Sequence, residues 1–114
     1  MAVAVRRGPV RRGEVHLVRL DPTVGSEVRK TRPCLVVSPN ELNEHLRTVI
    51  IAPMTTGGHA YPWRIPCRFQ NRAGFVAIDQ LRTVDDERLI KRVGQLSSAT
   101  TTTVLDTLQE MFEE

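Results

Sequence analysis

The sequence predicts a mainly β domain closed by a single C-terminal helix, a small and strongly bent barrel. Three observations carry this. Apolar runs of strand length recur along residues 14–96 and are separated by Pro, Gly and Asn turn signals. Only the last stretch has helical periodicity over any length. The chain of 114 residues is also short enough for one modest core.

Each element has its own signal. Glu14 to Leu20 reads as a first strand ended by the Asp21-Pro22 turn, and Thr23 to Thr31 as a polar loop around Gly25. Arg32 to Ser38 reads as a second strand, its run Cys34-Leu35-Val36-Val37 implying burial on both faces. Pro39-Asn40 opens a short helical turn to about Leu46, and Val49 to Met54 makes a third strand leading into Thr55-Thr56-Gly57-Gly58. Tyr61 to Phe69 is a fourth strand that Pro62 and Pro66 confine to an edge or a bulge. Gly74 to Ile78 is a fifth and Lys91 to Leu96 a short last one. The helix starts at Ser97 or Ser98 as N-cap, with a first turn weakened by four threonines at 100–103. Its face of Val104, Leu105, Leu108, Met111 and Phe112 is wider than a small barrel needs, which predicts a dimer.

Charge is segregated. Residues 1–82 carry thirteen basic and six acidic side chains (+7), and residues 83–114 carry three and seven (−4). Fourteen of the sixteen basic residues are arginine, whose planar fork grips phosphate, although a GC-rich genome produces the same bias. A basic body with an acidic end suits an anionic partner such as nucleic acid. Residues 1–11 read as a flexible basic tail and 12–114 as the single domain.

Several classes are disfavoured. His16, His45 and His59 are scattered, and Cys34 and Cys67 form no CxxC pattern, so no metal site is expected. The two cysteines read as buried free thiols of a reducing compartment, which places the protein in the cytoplasm. Glycine-rich nucleotide-binding signatures are missing. No apolar run approaches the roughly 18 residues of a membrane span, and Ala2 to Val5 is too short for a signal-peptide core.

What remains is a set of polar residues at strand ends: Arg32 before Pro33, Thr55 and Thr56 after the third strand, and Asp79, Gln80, Arg82 and Thr83 after the fifth. Such ends converge around a barrel, although each residue alone also has a structural explanation. Four blocks containing them resemble the MazF/PemK family in order and spacing. The first runs from Arg12-Gly13-Glu14 through Leu20-Asp21-Pro22-Thr23 and Gly25-Ser26-Glu27 to Thr31-Arg32-Pro33. Ala52-Pro53-Met54-Thr55-Thr56, Tyr61-Pro62 and Asp79-Gln80-Leu81-Arg82-Thr83-Val84-Asp85 follow.

The resemblance implies an SH3-like barrel of the CcdB/PemK type, working as a homodimer without a cofactor. It implies a toxin that cleaves single-stranded RNA at short specific sequences, by attack of a ribose 2′-OH on the adjacent phosphorus. The products are a 2′,3′-cyclic phosphate and a 5′-OH. It also implies a cognate antitoxin with a flexible acidic tail. Carried over by position, Arg32 and Thr55 match the catalytic pair, and Glu27 and Asp79 are alternative general bases. RNA contacts fall to Ser26, Lys30, Thr56, His59 and Arg82, with Tyr61 and Trp63 available for base stacking. Two positions depart from the PemK branch: Ala77 stands where that branch has arginine, and Ser26 where it has histidine. The competing readings are a CcdB-like gyrase poison and a non-catalytic RNA-binding regulator.

Overall fold

The computed structural model describes residues 9–114. Strands β1 (Glu14–Arg19), β2 (Thr31–Val36), β3 (Thr48–Thr55), β4 (Arg64–Phe69), β5 (Arg72–Ala77), β6 (Arg82–Asp85) and β7 (Leu89–Gln95) form one sheet with helices α1 (Asn40–His45) and α2 (Ser98–Met111). The order is β4-β5-β3-β2-β1-β7, with β6 paired to β3 beside that path.

The apolar runs put β1, β2 and β3 where the sequence placed them. Along β2 the pleat alternates as a doubly buried strand should. Leu35, followed by Val37, joins a core cluster with Val15, Met54, Val76 and Val104. Cys34 and Val36 turn to a second cluster with Val18, Leu20, Ile51 and Val84.

β3 is the longest strand and serves two neighbours on one side. Residues Thr48–Ile51 pair with β6, and Met54 and Thr55 pair with Val76 and Phe75 of β5. Pro53 falls in the gap between these two ladders, a tolerable place for a residue without an N–H in a central strand. β6 was not expected as a strand. Four residues with one buried apolar side chain, Val84, leave no periodic signal, and pairing with β3 creates the strand.

Register shifts in the β1–β7 ladder, between Val15 and His16 and between Leu17 and Val18, bend the sheet. It curls until Phe69 at the end of β4 meets β7, where a Cβ added to Gly94 would stand 2.8 Å from the ring. Gln70 Nε2 also donates to the Val93 carbonyl at 3.4 Å. The sheet is thus strongly bent but not a closed barrel: among the described residues no ladder joins β4 to β7, and side chains alone bridge them.

Ser97 caps α2, its hydroxyl accepting from the Thr100 N–H at 3.2 Å. The threonine-rich start is helical from Ser98, and Thr103 donates to the Ala99 carbonyl at 3.1 Å. The expectation of a spare apolar face is corrected: Val104 is fully buried, and Leu108 and Met111 pack on the first cluster. Only Phe112 of that face stands out, 72% exposed. β4 begins at Arg64 rather than Tyr61, because Tyr61 to Trp63 turn, with the Arg64 N–H donating to the Tyr61 carbonyl at 3.0 Å.

Of the expected 1–11 tail, residues 1–8 lie outside the described residues, while Val10 is buried in the second cluster. Cys34 is buried and Cys67 half-buried, both unbridged. No described helix is long and apolar enough to cross a membrane.

Candidate active site

Two clefts hold most of the polar residues singled out by the sequence. The first is positioned by the β2–β3 register, in which Leu35 faces Ala52 and Cys34 faces Pro53. The ladder ends there, and the strand ends beyond it bring Arg32 of β2 and Thr55 of β3 to the wall of one cleft. They line an open cleft of about 520 Å³ with Thr56, Cys67, Arg72 and Gly74. Arg32 spends Nε on the Arg29 carbonyl at 3.3 Å, which aims the fork while leaving its other donors for an anion. Thr55 Oγ1 donates weakly to the Gly57 carbonyl at 3.4 Å.

The second cleft, about 250 Å³, is lined by Glu27, Val28, Pro53, Asp79, Gln80 and Arg82. Among the described residues none lines both clefts, although Pro53 of one is followed directly by Met54 of the other. Arg32 with Thr55, and Glu27 with Asp79, are thus brought together as two separate pairs. Glu27 is exposed, and its Oε1 accepts from the Val24 N–H at 2.6 Å. Arg82 is half-buried at the cleft wall, and its Nη1 donates to the Leu20 carbonyl at 3.1 Å, which holds the loop mouth. Ser26, Lys30 and His59 are exposed and line neither cleft.

Asp79 has a partner that the sequence did not reveal. Arg64 grips it with both ends of the fork, Nε to Oδ1 at 2.6 Å and Nη2 to Oδ2 at 2.9 Å. Arg64 lies directly across the β4–β5 ladder from Ala77. A guanidinium therefore reaches Asp79 from the neighbouring strand at the level of Ala77, where the resemblance led one to expect an arginine. Only the strand register could have shown this. The Arg64 bond holds the Asp79 carboxyl below the usual carboxylate range, against a smaller upward push from burial. The same contact pushes Arg64 up. Its guanidinium also lies 5.8 Å from the centre of the Tyr61 ring, which is 54% exposed beside the half-exposed Trp63.

Burial pushes the Cys67 thiol up, so it is a poor nucleophile despite lining the first cleft. Among the described residues no group of three or more His, Cys, Asp or Glu side chains could hold a metal ion.

The profile of the family described as "PemK-like, MazF-like toxin of type II toxin-antitoxin system" matches residues 11–112. The chain belongs to this family. A curated relative, endoribonuclease PemK of Escherichia coli, is 36% identical in an alignment 94 positions long that covers 70% of this chain and 64% of that protein. The chain thus matches less than two thirds of that relative's length. Among solved structures, MazF from Deinococcus radiodurans superposes with a TM-score of 0.80 at 21% identity, covering 91% of this chain and 96% of that one. A mycobacterial endoribonuclease in complex with its cognate antitoxin gives 0.74 at 24% identity, covering 89% and 92%. At these identities the structures establish the fold, which is the toxin fold that the sequence blocks implied.

Proposed function

We propose that this family member is a toxin endoribonuclease that cleaves single-stranded RNA through the 2′-OH, acts as a cytoplasmic homodimer and is restrained by an acidic antitoxin. One observation carries the reading: Arg32 and Thr55 line one open cleft, which Arg72 also lines. RNA brings its own nucleophile, so the protein has three tasks: to take the 2′-OH proton, to stabilise charge on the phosphoryl oxygens, and to help the 5′ oxygen leave. The Arg32 fork stabilises the developing oxyanion, and the Thr55 hydroxyl hydrogen-bonds the scissile phosphate. Asp79 has both oxygens on Arg64, which makes it a weak base. The role of base therefore falls to Glu27, exposed on the segment that leads into Arg32 and lining the cleft that adjoins that of Arg32 and Thr55 at Pro53–Met54. The new bond is O2′–P and the broken one P–O5′; Glu27 takes the 2′-OH proton and the departing O5′, hydrogen-bonded by the Arg32 fork, takes a proton from water, leaving a cyclic phosphate and a 5′-OH.

The E. coli relative's name and the mycobacterial toxin–antitoxin complex support the activity and the partner. The +7 balance of residues 1–82 (thirteen basic, six acidic) favours an acidic antitoxin segment as well as RNA, and the two should compete for the Arg32 face. The test is incubation of pure protein with a long RNA in excess EDTA, followed by mapping of the new 5′ ends. Discrete cuts ending in cyclic phosphate are expected, and a 2′-deoxy nucleotide 5′ of a cut should abolish it. Intact RNA, or equal cutting of an all-deoxy strand, would overturn the reading.

A further inference from the structure

The loop from Leu20 to Lys30 carries Glu27 and delivers Arg32; Val28 packs its side chain on the second cluster, and few polar contacts hold the rest. The loop mouth is closed by the Leu20 N–H on the Lys30 carbonyl at 3.0 Å, by Arg82 on the Leu20 carbonyl at 3.1 Å and by Arg88 on the Asp21 carbonyl at 2.8 Å. Further out, the loop bonds mainly to itself: Val24 N–H to Glu27, Glu27 N–H to the Val24 carbonyl, and Arg29 to the Gly25 carbonyl. Among the described residues, one hydrogen bond ties the 23–28 stretch to the barrel. The Val28 N–H donates to Gln80 Oε1 at 3.3 Å, beside the Glu27 side chain in the second cleft.

Gln80 in turn ends the one-turn helical segment Ile78–Gln80, and that turn is pinned to the start of β4 at two points. The Ile78 N–H donates to the Trp63 carbonyl at 3.2 Å, and Arg64 holds Asp79 through two parallel bonds. A bidentate guanidinium–carboxylate pair fixes orientation as well as distance. Gln80 follows Asp79 directly in this turn, so the pinned backbone sets where its Oε1 meets the Val28 N–H. A continuous chain of contacts therefore runs from β4 through the turn to the base-carrying loop.

We propose that Arg64 and Gln80 are positioning residues for the cleavage reaction, acting through Asp79 and the Val28 amide to hold the loop that presents Glu27 and Arg32. This rests on the endoribonuclease reading. Asp79 is then an anchor rather than a base. Placement errors near 1 Å can cost about 10²-fold in rate, so loosening this chain should slow turnover while RNA binding, spread over many charges, changes little.

The experiment compares wild type with Arg64→Gln, Arg64→Lys, Gln80→Leu and the double variant Arg64→Gln/Gln80→Leu. It reads single-turnover cleavage, binding of a 2′-deoxy-substituted RNA, and amide hydrogen exchange across residues 23–30. Arg64→Gln and Gln80→Leu should each lower the rate roughly 10- to 100-fold and speed exchange at Val28 by tenfold or more. The double variant should lose no more than the worse single one, and Arg64→Lys should recover part of the rate. Exchange is read on folded protein, confirmed by circular dichroism, and if Arg64→Gln fails to fold, Arg64→Lys and Gln80→Leu decide. Unchanged exchange at 23–30 in the folded variants overturns the proposal, even where activity falls. Wild-type protein that leaves RNA intact overturns the endoribonuclease reading instead, and the exchange arm still reports on the loop.

Discussion

Gly74→Ala should damage the first cleft without touching any polar group in it. A Cβ on Gly74 would stand 2.1 Å from the Thr55 carbonyl oxygen and 3.2 Å from its carbon. Real Cβ atoms do not approach a neighbour within 3.0 Å, and the atom in the way is backbone, which cannot swing aside. β5 must therefore retreat from the end of β3 by about 1 Å. That retreat works against the Thr55–Phe75 and Met54–Val76 pairs. Overpacking of this kind costs about 1–3 kcal/mol, and at about 4 °C per kcal/mol for a domain near this size the Tm should fall by roughly 4–12 °C. A 1 Å shift of Thr55 should also slow cleavage by up to about 10²-fold. Thermal unfolding followed by circular dichroism gives the first quantity, and single-turnover cleavage well below the lowered Tm gives the second. Wild-type Tm with wild-type rate would refute the close approach. A lowered Tm with full rate would show that the placement of Thr55 does not govern turnover.

Arg32→Ala should slow cleavage by about 10²–10³-fold with folding intact, as loss of one preorganised oxyanion donor does. Arg32→Lys should lose less and Thr55→Ala should also be slow; a wild-type rate in Arg32→Ala removes the assignment. Ser97→Ala, at the cap of α2 and away from both clefts, should cost about 1 kcal/mol of stability with no change in rate, separating stability from activity; a matching loss of rate would contradict this. Arg64 lowers the folded-state pKa of Asp79, so the pair's contribution to stability is complete above the unfolded carboxylate value near about 4. It should fade as pH falls through the lowered folded value. Asp79→Asn should flatten that part of the acid-denaturation curve and leave the neutral-to-alkaline limb alone, and an unchanged acid limb would count against the ion pair.

What could be read from the sequence was whatever the chain encodes locally. β2 announced itself because four consecutive apolar residues feed two clusters, and Ser97 because a hydroxyl before a periodic stretch has one obvious use. β6 was illegible because Thr83 and Arg82 look like loop residues until β3 supplies their hydrogen bonds. Arg64 escaped for the same kind of reason: its meaning lies in a register with Ala77, thirteen residues away along the chain. The spare face assigned to α2 was a misjudgement of demand. Helical spacing shows which residues share a face, but not how much of the barrel's apolar interior, including Val76 and Leu96, needs that face as cover. The pairing of Arg32 with Thr55 was legible through resemblance, whereas the division of the four candidate catalytic residues between two clefts depends on sheet curvature.

Pro53 sits where one strand changes hands between two partners, and this has a consequence for fidelity. A strand with a single neighbour can slip by one residue, and the slip turns every side chain to the opposite face. β3 is clamped by β2 along Ile51–Pro53, by β6 along Thr48–Ile51 and by β5 at Met54 and Thr55. A slip would have to break three ladders at once, and it would carry the proline's missing N–H out of the one gap that tolerates it. Thr55 thus faces the Arg32 cleft by default, protected against misregistration much as a key is protected by having teeth on both edges.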